Sequence, residues 1–221
     1  YSDGTVNYLD ENEQFWYISD IARTELFTTK RINRFVSHDG LLYIATEFGI
    51  VVYDIARDET RFSITKIGGN ATGTPVKDIS IANGRLWAAM GIHGVWSVSM
   101  SAPNVTFPTL WQKESGNNAL PDANTAFICN TDDILFTLVR DTIYKRLPGQ
   151  PWVKSPFDNL AWTYLNSANG RVFANFGRFT GVLYPDSNYI LIDNEGTTVT
   201  SYVNGSTIYV GDANIGMLRW R

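Results

Sequence analysis

A single cysteine, Cys129, occurs in the 221 residues, so neither an internal disulfide framework nor a cysteine metal cluster can be built. Histidine is almost as scarce. His38 and His93 are the only two, too few for a histidine-rich metal site, and no metal is expected. HExxH and GxSxG sequences are both missing, which leaves zinc-protease and α/β-hydrolase chemistry without local support. Gly68-Gly69-Asn70-Ala71-Thr72-Gly73 carries the end glycines of a phosphate loop, but Thr74-Pro75 stand where Lys and a hydroxyl residue are required. That stretch reads as a flexible linker, and no cofactor is expected. No run of 18 apolar residues is present to cross a bilayer as a helix, and the chain opens on Tyr1 without a basic leader, as a mature or excised segment does. Positive charge is short as well: 18 Lys and Arg face 22 Asp and Glu, for a net charge of −4. A nucleic-acid partner, which needs a basic stripe to release counterions, is therefore not expected.

What is present is apolar and aromatic. Hydrophobic residues make up 44% of the chain and charged residues 18%, a balance that excludes a disordered or charge-tail protein and predicts a packed core. One large domain over residues 1–221 is expected.

Turn chemistry supplies the organising signal. Asx-Gly pairs recur at Asp39-Gly40, Asn83-Gly84, Asn169-Gly170 and Asn204-Gly205, and Asp132-Asp133 holds the place of a fifth. Such pairs favour two-residue hairpins because both residues must take a positive φ. Each is followed by a similar tetrad: Leu42-Tyr43-Ile44-Ala45, Leu86-Trp87-Ala88-Ala89, Leu135-Phe136-Thr137-Leu138, Val172-Phe173-Ala174-Asn175 and Ile208-Tyr209-Val210-Gly211. About five residues further on, a turn residue leads into another apolar strand. The clearest cases are Gly49-Ile50-Val51-Val52-Tyr53 and Gly94-Val95-Trp96-Ser97-Val98; Thr142-Ile143-Tyr144, Gly181-Val182 and Gly216-Met217 are weaker. Gly4-Thr5-Val6 fits the same slot, and Gly4, Gly49 and Gly94 are each 45 residues apart. Segments ahead of each turn, such as Ile32 to Phe35 and Val76 to Ile79, supply a first strand. Aromatic stretches such as Arg61-Phe62-Ser63-Ile64, Phe107 to Trp111, Pro151-Trp152-Val153 and Tyr189-Ile190-Leu191 supply a fourth.

Four short antiparallel strands, repeated with no helical period between copies, predict an all-β propeller of four-stranded blades. A lone blade cannot bury both faces, so neighbours must pack against one another. Inner strands should be the most apolar, and the outer strand should tolerate charge, as at Arg61 and Lys66. Six units are touched and four are complete. The pattern fits part of a six- or seven-bladed ring; closure into five blades, with Phe15-Trp16-Tyr17 serving as a strap on the last unit, is the alternative.

The run from Arg31-Ile32-Asn33-Arg34-Phe35 through Asp39-Gly40-Leu41-Leu42-Tyr43-Ile44-Ala45-Thr46 to Phe48-Gly49-Ile50-Val51-Val52-Tyr53-Asp54, with Ile67-Gly68-Gly69 and Val76-Lys77-Asp78-Ile79 after it, resembles a known repeat. It is similar to the propellers of PorZ-like type IX secretion components and of two-component regulators of Bacteroidetes. The resemblance is specific over roughly residues 31–98 and generic afterwards, and Asn124 to Tyr144 depart most. It implies an exported protein of the periplasm or cell surface that docks a saccharide, an anionic lipopolysaccharide or an envelope protein without catalysis. A sensor propeller recognising polysaccharide fragments is the alternative it implies.

Loops joining the second to the third strand, and the fourth strand to the next blade, gather on one face of a propeller, where partners are usually met. The first set contains Glu47, Phe48, Ile92, His93, Arg140, Arg178, Phe179 and Asn214, and the second contains Arg31, Pro75, Asp122, Asp158 and Gly196. Phe48, His93, Arg140, Arg178, Phe179 and Asn214 are the expected ligand contacts. Arg178 beside Phe179 is the most site-like, because a guanidinium grips an anionic group while a ring excludes water. A third reading is a glycoside hydrolase using two of Glu47, Asp122, Asp158 and Asp212, since that chemistry needs paired carboxylates. Cys129, beside Phe127 and Ile128, reads as a buried and inert thiol.

Overall fold

The computed structural model describes residues 3–9, 13, 15–117, 119–155, 161–184, 189–193, 198–204, 207–212 and 216–220. The chain divides into two compact units, Tyr1–Gly91 with Trp96–Lys113 and Ile92–Val95 with Glu114–Arg221. Each is described by itself.

In the first unit, β1 (Val6–Leu9) pairs with β2 (Phe15–Ile18), and the short helix α1 (Asp20–Arg23) follows. A four-stranded sheet comes next, in the order β3 (Ile32–His38), β4 (Leu41–Thr46), β5 (Gly49–Asp54) and β6 (Glu59–Ile64). Then come β7 (Asp78–Ala82), β8 (Arg85–Ala89), β9 (Val95–Ser99) and β10 (Gln112–Lys113). The second unit holds β11 (Thr125–Thr131), β12 (Ile134–Val139), β13 (Thr142–Arg146) and β14 (Val153–Lys154), then β15 (Tyr164–Ala168), β16 (Arg171–Phe176), β17 (Phe179–Leu183) and β18 (Tyr189–Asp193). It ends with β19 (Thr198–Asn204), β20 (Thr207–Asp212) and β21 (Gly216–Trp220). All neighbours are antiparallel and consecutive in sequence, so each sheet is a meander, the expected blade.

The hairpins form where the Asx-Gly pairs stand. Asp39 and Gly40 have φ of 48° and 74°, Asn83 and Gly84 of 53° and 65°, and Asn169 and Gly170 of 46° and 75°, so both residues of each turn are left-handed, as this turn type demands. At the substituted pair only Asp132, at 49°, has a positive φ. The two-residue register survives there, with Thr131 opposite Ile134, and Asn130 Nδ2 donates to the Asp132 carbonyl at 2.8 Å. Gly205 lies outside the described residues.

Alternation along the middle strands sends side chains to two faces, and each face is covered by a neighbouring blade. From β4 and β5, Tyr43, Ala45, Ile50 and Val52 pack with Ile79, Leu86, Ala88 and Val98 of the next blade. Ile44, Val51 and Tyr53, with Phe48, face Val6, Ile18 and Ile21 instead. The second unit repeats this: Cys129, Phe136, Leu138 and Ile143 meet Leu165, Val172, Ala174 and Leu183, while Phe173 and Val182 turn to Ile192 and Ile208. Burying one such aliphatic side chain stabilises by about 1.5 to 3 kcal/mol, which makes the blade-to-blade seams the main source of stability.

Burial varies along the inner strands: Phe35 on β3 is 45% exposed, whereas four of the five residues of β7 and all six of β5 are buried. Three expectations are corrected. Phe107 to Trp111 do not make the fourth strand; a 3₁₀ turn at Pro108–Leu110 replaces it, because proline has no N–H for a ladder, and β10 begins at Gln112. Likewise Trp152 is buried ahead of a two-residue β14. Finally, Phe15 to Tyr17 pair with β1 as the outer strand of the first sheet, not as a strap on the last. Arg61, on the outer strand β6, is exposed, and Lys66, also exposed, lies beyond the end of that strand.

Candidate functional site

Within each four-stranded blade, the linker that enters the first strand is bonded to the end of the second strand or the loop beyond it. Glu47 N–H donates to the Arg31 carbonyl at 3.0 Å, Lys77 N–H to the Ala89 carbonyl at 2.8 Å, Arg140 N–H to the Asn124 carbonyl at 2.9 Å, and Thr163 N–H to the Asn175 carbonyl at 2.7 Å. Second-to-third loops and blade linkers therefore share a rim, as the strand order requires. The rim is rigid because backbone groups hold it.

On the blade of β15 to β18 the rim carries an aromatic ladder ending in a cation. Gly177 and Arg178 form the tight turn between β16 and β17, with Gly177 left-handed at φ 51°. The flanking residues Phe176 and Phe179 are cross-strand partners, and their rings stack at 5.2 Å between centroids and 23° between planes. Trp162, 2% exposed, meets Phe176 edge-on at 5.2 Å and 79°. Arg178 is exposed and its guanidinium carbon lies 5.4 Å from the Phe179 centroid. Attraction between a cation and a ring face is worth about 0.5 to 1 kcal/mol at an exposed site. The contact restrains the exposed Arg178 side chain.

Arg178 and Phe179 are the contacts expected from the sequence, and Trp162 and Phe176, which join them in this cluster, were not among them. The signal was available for Phe176, since two aromatics flanking a two-residue turn must be cross-strand neighbours.

The other expected contacts are dispersed. Arg140 is exposed and left-handed at φ 57°, in the turn between β12 and β13. His93 is half-buried beside Ile92, which is 80% exposed. Phe48 is 4% exposed and stacks face to face on Phe27, with centroids 4.6 Å apart and planes within 5°. It also lines a cleft of about 170 Å³ with Ile21, Phe27 and Val51. Asn214 lies outside the described residues.

Of the four carboxylates considered for hydrolysis, Glu47 is the best defined. Its carboxylate accepts bonds from Asn33 Nδ2 at 3.1 Å and from Lys77 Nζ at 2.9 Å to each oxygen. Burial pushes its pKa up, but the bonds from Lys77 and Asn33 and the charges of Lys77 and Arg31 outweigh that, and the net shift is downward. A general acid needs the opposite shift, so Glu47 is not suited to that role, and its bonds to Lys77 and Asn33 tie the loop after β4 to its surroundings. Asp122 is exposed. Asp158 lies outside the described residues, as does the side chain of Asp212. Among the described residues no three His, Cys, Asp or Glu side chains converge to hold a metal ion. Cys129 is buried at 3% exposure.

Residues 1–112 match the family model described as the TSS9, PorZ, N-terminal β-propeller domain. Among solved structures, the chain superposes on PorZ, a bacterial surface component of the type IX secretion system of Porphyromonas gingivalis, with a TM-score of 0.83 at 16% identity, covering 99% of this chain and 28% of that one. It superposes on the extracellular domain of BT4673 from B. thetaiotaomicron, described as a one component system, with a TM-score of 0.72 at 15% identity, covering 100% of this chain and 32% of that one. A catalytically inactive virginiamycin B lyase from Staphylococcus aureus matches with a TM-score of 0.72 at 10% identity, over 98% of this chain and 73% of that one. At such identities the likeness is one of fold, and the chain spans about a third or less of the PorZ and BT4673 chains. No curated protein matches the chain.

Proposed function

The chain belongs to the family of PorZ N-terminal β-propeller domains, and on that premise we propose that it is a non-catalytic docking propeller of an exported protein, held in the periplasm or at the cell surface. Its partner is an anionic saccharide, such as a lipopolysaccharide, or an envelope protein that presents acidic groups. The observation that carries this reading is Arg178, exposed on a rigid rim and oriented by the Phe179 ring. A guanidinium offers paired N–H donors that match a phosphate or carboxylate. Phe179 is already engaged by Phe176 and Arg178, so its task is to hold the guanidinium flat while the sugar or peptide lies over the cation. Arg140, also exposed in a second-to-third loop of this unit, adds a second positive charge to the rim.

Titration of the whole chain with an anionic lipopolysaccharide and with an uncharged glycan tests this. Arg178→Ala is expected to weaken the anionic ligand about tenfold, the worth of one charge-assisted contact, and to leave the neutral glycan unchanged. Equal affinity of both proteins for the anionic ligand removes Arg178 from the site. The non-catalytic reading is tested apart: glycan hydrolysis that disappears in Glu47→Ala, Asp122→Ala, Asp158→Ala or Asp212→Ala overturns it.

The likeness to BT4673 favours a second reading, a sensor propeller that recognises polysaccharide fragments. In that case the gene beyond Arg221 encodes an immunoglobulin-like domain, a membrane span and a kinase.

A further inference from the structure

At the turn between β3 and β4 of the first unit, a cleft of about 280 Å³ opens between two blades, at the lower edge of the size range of small-molecule sites. One blade contributes Leu41, Tyr43, Arg61 and Phe62, and the connection after β9 contributes Met100 to Val105. Its walls are apolar: Leu41, Phe62, Met100 and Val105 are each only partly buried against the blade core. Its polar side chains are three: Tyr43, Arg61 and Asn104.

Two of these have unused capacity. Tyr43 is 4% exposed, yet it reaches the cleft, and its phenol has no hydrogen-bond partner among the described residues. A phenol both donates and accepts, so this hydroxyl is available to a ligand at the wall of the cleft. Burial raises the Tyr43 pKa, Asp39 adds to the rise and Arg61 opposes it; the phenol keeps its proton at neutral pH and can donate. Arg61, exposed at the mouth, forms no ion pair with any described residue. Asn104 is committed, since its Oδ1 accepts from Thr106 N–H at 2.9 Å and from Thr106 Oγ1 at 2.7 Å.

We propose that this cleft binds a medium-chain alkyl carboxylate, its two oxygens meeting the Tyr43 hydroxyl and the Arg61 guanidinium and its hydrocarbon chain lying along Phe62, Leu41, Met100 and Val105. One cation and one free donor match one carboxylate. A saccharide or a peptide backbone would bring a series of amides or hydroxyls into a cleft whose remaining walls cannot satisfy them. An alkyl chain brings none. The cleft belongs to the first unit and Arg178 to the second, and the proposal does not rest on the function proposed for Arg178.

Calorimetric titration of the whole chain with octanoate, with octan-1-ol and octylammonium as probes of equal length, tests the assignment. Octanoate is expected to bind at least about tenfold more tightly than either, and Tyr43→Phe and Arg61→Gln to weaken it about five- to tenfold each, the range of a hydrogen bond to a charged group. Arg178→Ala is expected to change nothing. Arg61 is exposed, so Arg61→Gln leaves the fold intact and keeps the test decisive if Tyr43→Phe proves unstable. Equal binding of octanoate and octan-1-ol, no binding of octanoate, or unaltered affinity in Arg61→Gln overturns the proposal.

Discussion

Nζ of Lys77 lies 2.9 Å from both carboxylate oxygens of Glu47, across 30 residues of sequence. The pair joins the loop after β4 to the linker entering the next blade, where Asn33 adds a third bond. Glu47 has a folded-state pKa below its ordinary value, so the stability it contributes is present above the unfolded pKa and is lost as pH falls through the lower folded one. Lys77→Met is expected to destabilise by about 1 to 3 kcal/mol at neutral pH. Thermal melts followed by circular dichroism at pH 7 and at pH 3 check the sign: the gap between wild type and Glu47→Gln should narrow in acid. A gap that stays constant or widens removes Glu47 from the acid response.

Gly49 starts β5 at φ 136°, and a Cβ there would stand 2.1 Å from the Ile64 carbonyl oxygen. Backbone cannot yield that distance without breaking the β5–β6 ladder. Gly40, at φ 74°, has nothing within 4 Å of its would-be Cβ. Gly49→Ala is therefore expected to cost about 3 kcal/mol or more, from strain and steric displacement together, and Gly40→Ala about 1 kcal/mol, from strain alone. Urea unfolding of the two variants side by side measures the difference. Similar losses in both would mean that the close approach at Gly49 is not what requires glycine there.

How far these features could be read from residues alone depends on the range over which they are set. The hairpins were legible because an Asx-Gly pair between apolar strands has one favoured conformation, and Asp39-Gly40, Asn83-Gly84 and Asn169-Gly170 all adopt it. Third strands were legible through glycines such as Gly49, whose local backbone needs them. The 3₁₀ turn at Pro108 was a local signal overlooked in favour of the aromatic pattern around it. The bonds that Glu47 accepts were not legible, because Asn33 and Lys77 approach it from 14 residues before and 30 residues after. Tyr43 looked like one more packing aromatic for a similar reason: the cleft it lines is made by a second blade.

Arg146 is held on three sides in the second unit. Its Nη1 bonds Glu114 Oε2 at 2.8 Å, its Nε donates to the Gln150 carbonyl at 2.9 Å, and its guanidinium carbon lies 5.9 Å from the Trp152 ring centroid. Glu114 is 4% exposed, so removing the cation leaves a carboxylate in a poorly solvated place. Arg146→Met is expected to cost about 3 kcal/mol, and adding Glu114→Gln should recover part of that loss. A double-mutant cycle by denaturant unfolding should show a coupling of about 1 kcal/mol or more. Strict additivity of the two substitutions would contradict a direct pairing.

At the proposed docking rim, the shape of the cation should matter as much as its charge. The Arg178 guanidinium is planar and lies over the Phe179 ring, an arrangement that a lysine ammonium cannot reproduce, since it is more strongly hydrated and offers no paired N–H edge. Arg178→Lys is thus expected to keep the salt dependence of binding to an anionic lipopolysaccharide while losing about fivefold in affinity. Phe179→Leu, which leaves the arginine but removes its platform, should lose a similar factor, because the side chain must then be ordered at the moment of binding. Surface plasmon resonance at two salt concentrations separates the contributions. If Arg178→Lys binds as tightly as wild type, the rim acts as a diffuse positive patch, and the Trp162, Phe176 and Phe179 ladder serves packing alone.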